Sequence, residues 1–276
     1  MTDIRMQRPL LLVGCGKMGG AMLSGWTRSG IAAAGVVVVE PGGLPAALAG
    51  PGVTAVADAA ALPEGLDPEI VVFAVKPQQM DKVAPAYARF AKRGTAFLSI
   101  AAGTTIGYFA ARLGADAAIV RAMPNTPAAI GQGITVAAAN AATTPAQADL
   151  CRALLAAVGE AVMVEDEGLL DAVTALSGGG PAYVFLMIEC LAEAGVQAGL
   201  PRDLSERLAL VTVAGAGQLA LAGDAQPAVL RQNVTSPGGT TLEALKVLMA
   251  EDGLQPMLTR AIAAATRRSR ELAGTG

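Results

Sequence analysis

The sequence predicts an α/β domain built on a parallel sheet, followed by an all-α domain. Three observations carry this. Short apolar, β-branched runs alternate with helical patterns as far as residue 165. Gly14, Gly16 and Gly19 stand in a G-x-G-x-x-G spacing between the first such run and the first helical pattern. Beyond Glu165 the strand signals stop, and helical patterns punctuated by Gly and Pro continue to Leu272. The expected domains are residues 1–165, of the Rossmann dinucleotide-binding type, and residues 166–276, helical.

The expected strands are 10–13, 36–39, 53–56, 70–75, 96–100, 117–121, 134–137 and 161–164. Most are apolar throughout, as strands covered on both faces are. Helices are expected at 18–28, 78–93, 105–113 and 145–158, which argues for right-handed crossovers between parallel strands. The later helices are separated by "SGGGP", "GLP", "GDAQP", "TSPGG" and "EDGLQP". Small residues in "VTVAGAGQLALAG" allow helices to approach closely. Long uncharged helix faces in so small a domain predict burial against a second copy, so a homodimer is expected.

Composition narrows the function. Apolar residues are 53% of 276 but aromatics only 3%, so the core is expected to consist of Ala, Val, Leu, Ile and Met. A net charge of −3 without a basic stripe argues against a nucleic-acid partner. Cys15, Cys151 and Cys190 are scattered, which fits neither a disulfide framework nor a zinc site. A reducing, cytoplasmic location and no metal are expected. The N-terminal apolar run "LLLV" ends in glycines rather than a cleavage site, so it reads as a strand, not a signal peptide. The uncharged stretches 172–188 and 208–223 are shorter than a membrane span, and no membrane partner is expected. The chain has no histidine, which removes imidazole acid–base chemistry, histidine metal ligation and Ser-His-Asp triads.

The glycine loop in its strand–helix context predicts a dinucleotide site. Gly14 would permit the tight turn, Gly16 the approach of a pyrophosphate, and Gly19 close helix packing. Cys15, Lys17 and Met18 complete this segment, and the helix N-terminus supplies N–H groups to the phosphates. Glu40 ends the second strand about twenty residues later, where an acid accepts hydrogen bonds from the adenosine ribose. It would repel a 2′-phosphate, and no Lys or Arg lies between it and Asp58. The alternative is a solvated turn residue before Pro41. Ala74, Val75, Lys76 and Pro77 fall at the carboxyl edge of the sheet, with Lys76 either a ligand contact or a rim lysine. Ala101, Ala102 and Gly103 would leave room for a flat ring, and Asn125 and Thr126 offer hydrogen bonds at the same edge.

In order along the chain, "VGCGKMGGAM", "FAVKPQ", "SIAAG", "RAMPNTP", "LSGGGPAYVF", "AGVQAGLPRDLS" and "NVTSPGGTTLEAL" resemble the signature segments of the pyrroline-5-carboxylate reductase family. The resemblance spans nearly the whole chain. It implies reduction of Δ1-pyrroline-5-carboxylate to L-proline with NAD(P)H, the last step of proline biosynthesis. It implies a helical domain that binds substrate and dimerises, in many members within a ring of dimers. Ser236, Gly238, Gly239 and Thr240 match substrate-carboxylate positions, and Thr241 matches the threonine that bonds the ring nitrogen. A Pro-Gly-Gly turn before a helix offers backbone N–H groups to an anion. A protonated imine is already electrophilic, so hydride delivery and orientation suffice and no histidine is required.

Two departures stand out. Gly179 replaces a serine common in the family, and Glu40-Pro41-Gly42 replaces the usual Ser or Asn followed by a basic residue. The second favours NADH over NADPH. Two rivals differ at the sequence level. A β-hydroxyacid dehydrogenase would carry a helix-borne lysine after Pro181, yet the only lysine beyond residue 92 is Lys246. A non-enzymic dinucleotide sensor would have no use for "SPGGTT".

Overall fold

The computed structural model describes residues 4–274. Eight strands form one sheet: β1 (Leu10–Val13), β2 (Val36–Val39), β3 (Val53–Val56), β4 (Ile70–Phe73), β5 (Ala96–Ser99), β6 (Ala118–Met123), β7 (Gly133–Ala139) and β8 (Gly159–Val164). Their order is β3-β2-β1-β4-β5-β6-β7-β8. The first six are parallel neighbours, with β1 between β2 and β4. This is the doubly wound order, with its switch point beside β1.

The sheet is mostly parallel, as expected, with one reversal at β7, which runs antiparallel to β6. The β6–β7 connection holds only a 3₁₀ turn, Thr126–Ile130. A parallel return needs a crossover of roughly a dozen residues or more. The longer β7–β8 connection contains α4 (Pro145–Ala156), and those strands are parallel again.

Alternation along the strands explains their apolar runs. Leu10, Leu12, Ile70 and Val72 face one layer with Met22, Trp26, Leu150 and Leu154. Leu11, Val13, Val71 and Phe73 face the other, with Tyr87, Phe90, Phe97 and Phe109. The second layer corrects the expected aliphatic core, since four of the five phenylalanines gather there. Phe73 stacks on Phe97 and Phe109 and meets Tyr87 edge-on.

Helix α1 (Lys17–Ser29) ends at Gly30 in the left-handed region, and its Trp26 donates Nε1–H to the Leu154 carbonyl at 2.8 Å. The expected helix at 78–93 is mostly 3₁₀, with one α turn, α2 (Met80–Val83). Pro85 has no N–H for a continuing α-helix. Helix α3 (Ile106–Leu113) is capped by Thr105, and α4 by a reciprocal Thr144–Gln147 capping box.

Helices α5 (Leu169–Val173), α6 (Gly180–Gln197), α7 (Arg202–Ala222), α8 (Pro227–Asn233), α9 (Thr240–Leu248) and α10 (Leu254–Ala273) complete the chain. The strands do end before residue 165, but the compact units divide elsewhere. One contains residues through Gly178 together with those from Ala265; the other is Gly179–Ala264. Within this helical unit α6 and α7 pack where Gly195 meets Ser205, whose hydroxyl donates to the Ala192 carbonyl at 2.6 Å. Only Ala192, Ser205 and Ala209 are buried among its described residues. Phe185, Leu208, Val211 and Leu219 are among its exposed apolar side chains.

A π-helical turn, Thr174–Gly178, joins α5 to α6. The resulting run Leu169–Gln197 contains an 18-residue window of mean hydropathy 1.4 and is long and apolar enough, by length and composition, to cross a membrane. The uncharged stretch 172–188 alone is shorter than a span.

The three cysteines are free thiols. Burial pushes the Cys151 thiol up to about 12. It should resist alkylation at mildly alkaline pH until denaturant is added, because the reactive thiolate is scarce and enclosed. Rapid modification of Cys151 in folded protein, read by peptide mass, would contradict this placement.

Candidate active site

The sheet unit holds a cleft of about 710 Å³ at the carboxyl ends of β1, β2 and β4. Gly14, Gly16, Glu40, Ala74, Val75 and Lys76 line it, so six of the expected cofactor residues meet there. Gly14 has φ +90°, and a Cβ on it would stand 2.7 Å from Val75 Cγ1. A Cβ on Gly19 would stand 2.5 Å from the Gly14 carbonyl oxygen, so the helix packs directly on the loop. A Cβ on Gly16 would meet nothing within 4 Å, which leaves the loop open to a ligand. Gly16 is also the N-cap of α1 and supplies no side-chain cap. The first-turn N–H groups of α1 therefore have no cap from this residue, and the helix dipole favours an anion there. These features fit a dinucleotide: a glycine cradle for its phosphates and a roomy cleft beside it.

Glu40 does not swing into solvent. Its Oε2 accepts from Cys15 N–H at 2.7 Å, and its Oε1 accepts weakly from Gly42 N–H at 3.4 Å. The Cys15 thiol is raised by burial and, second, by the Glu40 charge. Lys17, Met18 and Gly19 open α1 behind the loop, and Pro77 opens the 3₁₀ turn after Lys76.

Residues missed in the sequence also line this cleft, notably Asp58, Lys82 and Tyr87. Asp58 Oδ1 accepts from the N–H groups of Ala60 and Ala61 at 2.9 and 3.0 Å. Burial pushes the Tyr87 hydroxyl up to about 12, so it stays neutral at working pH. No local basic residue follows Glu40, but Lys76 and Lys82 arrive from other segments. An N-cap aspartate such as Asp58 was readable before a run of alanines; its meeting with Glu40 was not.

Asn125 stands apart from the lining. Its Oδ1 accepts from Ile134 N–H at 3.0 Å and its Nδ2 donates to Ser177 at 3.2 Å, so its amide braces the β6–β7 turn. Ala101 is buried, whereas Ala102 is exposed and Gly103 has φ +71°.

The segment expected to bind substrate lies in the helical unit. Gly239 N–H donates to the Ser236 carbonyl at 3.0 Å. Pro237 and left-handed Gly238, at φ +69°, occupy the two central positions, as in a type II turn. Gly239 is the N-cap of α9 and provides no side-chain cap. The Ser236, Thr240 and Thr241 side chains are exposed around this helix start. A shallower hollow of about 400 Å³ between α8 and α9 is lined by Arg231, Lys246 and neighbours, but by none of these expected substrate residues. Among the described residues, no cluster of His, Cys, Asp and Glu could hold a metal ion.

Comparison with known proteins follows this division. Residues 10–103 match the family described as NADP oxidoreductase coenzyme F420-dependent, and residues 167–272 match pyrroline-5-carboxylate reductase dimerisation. A pyrroline-5-carboxylate reductase from Pseudomonas aeruginosa is 40% identical, over 96% of each chain. The solved structure of a pyrroline-5-carboxylate reductase from Coxiella burnetii superposes with TM-score 0.87 at 34% identity, covering 96% of this chain and 98% of its own. The Plasmodium falciparum pyrroline carboxylate reductase with NADP bound has TM-score 0.82 at 28% identity, covering 98% and 99%.

Proposed function

We propose a division of labour between the cleft and the Pro-Gly-Gly turn for a chain that belongs to the pyrroline-5-carboxylate reductase family. The activity itself is that of an NAD(P)H-dependent reductase of proline biosynthesis. Bound reduced nicotinamide dinucleotide supplies the hydride. The chain supplies position: Gly14, Gly16 and the α1 N-terminus hold the phosphates, while Glu40 and Asp58 face the adenosine end. The observation carrying this reading is the open Gly16 above an α1 start that the residue itself leaves uncapped.

The uncapped start of α9, beside Ser236, Gly238, Gly239 and Thr240, binds the carboxylate of 1-pyrroline-5-carboxylate. Thr241 bonds the ring nitrogen and fixes the imine carbon for hydride addition, making it the catalytic contact. Positioning of this kind is worth up to about 7–11 kcal/mol. The basic ring nitrogen carries its own proton, so no strong enzymic acid is required.

Within this proposal NADH is at least as good a donor as NADPH, because Glu40 is held against the glycine loop and Asp58 adds a second acid. The exposed apolar faces of the helical unit meet a second copy rather than lipid, and the dimers assemble into a ring. The scattered free thiols suit a cytoplasmic enzyme.

Thr241→Ala tests the substrate contact. Turnover should fall by roughly 1–3 kcal/mol in activation free energy, the cost of an unmet polar contact, with cofactor affinity unchanged. A folded, dimeric mutant with wild-type kinetics would remove Thr241 from the reaction.

A further inference from the structure

Outside the cleft, a buried arginine ties together segments flanking loop 101–103. Arg121 on β6 is 4% exposed. Its Nη1 donates to Glu167 Oε1 at 2.9 Å, and its Nη2 lies 3.9 Å from Asp171 Oδ1. The same Glu167 oxygen accepts from Ile106 N–H at 2.8 Å, at the first residue of α3. Asp171 accepts from the Ser269 hydroxyl of α10 at 2.7 Å. Further along α10, Leu272 reaches the loop itself: a Cβ on Gly103 would stand 3.5 Å from Leu272 Cβ.

Loop 101–103 is thus held from two sides. Glu167 anchors the helix it leads into, and α10 lies against Gly103. The two supports meet at Arg121, through Glu167 directly and through Asp171 and Ser269. Such a buried charge group is costly to leave partly paired, so its members keep one arrangement. Glu167 is shared between the arginine and the α3 start, so its loss would free both.

We propose that Glu167 is a positioning residue that sets loop 101–103 against the nicotinamide end of the cofactor. This rests on the reading that the small residues of this loop take the flat ring. Displacing a reacting group by about 1 Å can cost on the order of a hundredfold in rate. The adenosine and phosphate contacts lie on other segments and should not feel the change.

The test compares NADH with ADP-ribose, which lacks the nicotinamide, by titration calorimetry on the oligomeric enzyme. Glu167→Ala should weaken NADH severalfold and leave ADP-ribose unchanged. Glu167→Gln, which keeps an acceptor for Ile106 N–H and Arg121, should restore most of the NADH affinity. Equal weakening of both ligands, or no change for NADH, would overturn the proposal. If Glu167→Ala does not fold, Leu272→Ala gives the readout without unpairing a charge; it too must lose NADH selectively, and parity with wild type would overturn the idea. Ala102→Leu separates the underlying reading. If it leaves NADH affinity intact, the loop does not take the ring, and the proposal falls with that reading. If it weakens NADH selectively while Glu167→Ala does not, the positioning role alone is overturned.

Discussion

Leu219→Asp is expected to convert the oligomer into monomers or insoluble chain, with loss of reductase activity. The helical unit buries only Ala192, Ser205 and Ala209 among its described residues, too little to form a core alone. Leu219 is 60% exposed on α7 in the single chain. A carboxylate there would enter an apolar contact without a partner, at several kcal/mol per ion. A two-fold interface incurs this penalty twice. Ala214→Asp, also on an exposed part of α7, should act in the same way. Sedimentation separates the outcomes. A soluble dimer of wild-type activity carrying either substitution would place the interface on another face.

The second large effect concerns the cofactor. Glu40→Ser combined with Pro41→Arg should shift the ratio of kcat/KM for NADPH over NADH upward by at least about tenfold, a change of about 1.4 kcal/mol. At a surface dielectric, unit charges about 4 Å apart interact by about 4 kcal/mol before salt screening, so exchanging an acid for a cation is ample. Asp58, Lys76 and Lys82 remain in the cleft and limit the swing. The ratio is the proper readout, because losing Glu40 also frees Cys15 N–H and loosens the glycine loop for either cofactor. An unchanged ratio would show that Glu40 braces the loop and takes no part in choosing the cofactor.

Much of the sheet unit was legible because its signals are local. All eight strands lie on the apolar runs expected to form them, and Gly14 and Gly19 have the strained or crowded surroundings that their spacing implied. The reversal of β7 was not legible, since pairing direction depends on how the short Pro-containing connection folds. The cleft was legible only in part. Gly14, Gly16, Glu40 and Lys76 follow from strand ends, whereas Asp58, Lys82 and Tyr87 reach it from segments with no motif of their own. The place of Asn125 at a strand end was legible, whereas the partners of its amide, Ile134 and Ser177, were not. The Arg121 group has no local signal, because Glu167, Asp171 and Ser269 lie far from it along the chain. In the helical unit the helical patterns and the uncharged faces that predict a second copy were legible, but which of those faces a partner covers was not.

The most direct measurement mixes the purified oligomer with Δ1-pyrroline-5-carboxylate and NADH and follows loss of reduced cofactor against formation of L-proline. The account predicts one proline per NADH consumed, with turnover sharply reduced in Thr241→Ala. A folded dimer that leaves NADH untouched in the presence of the pyrroline, yet reduces NAD with a 3-hydroxy acid, would contradict it.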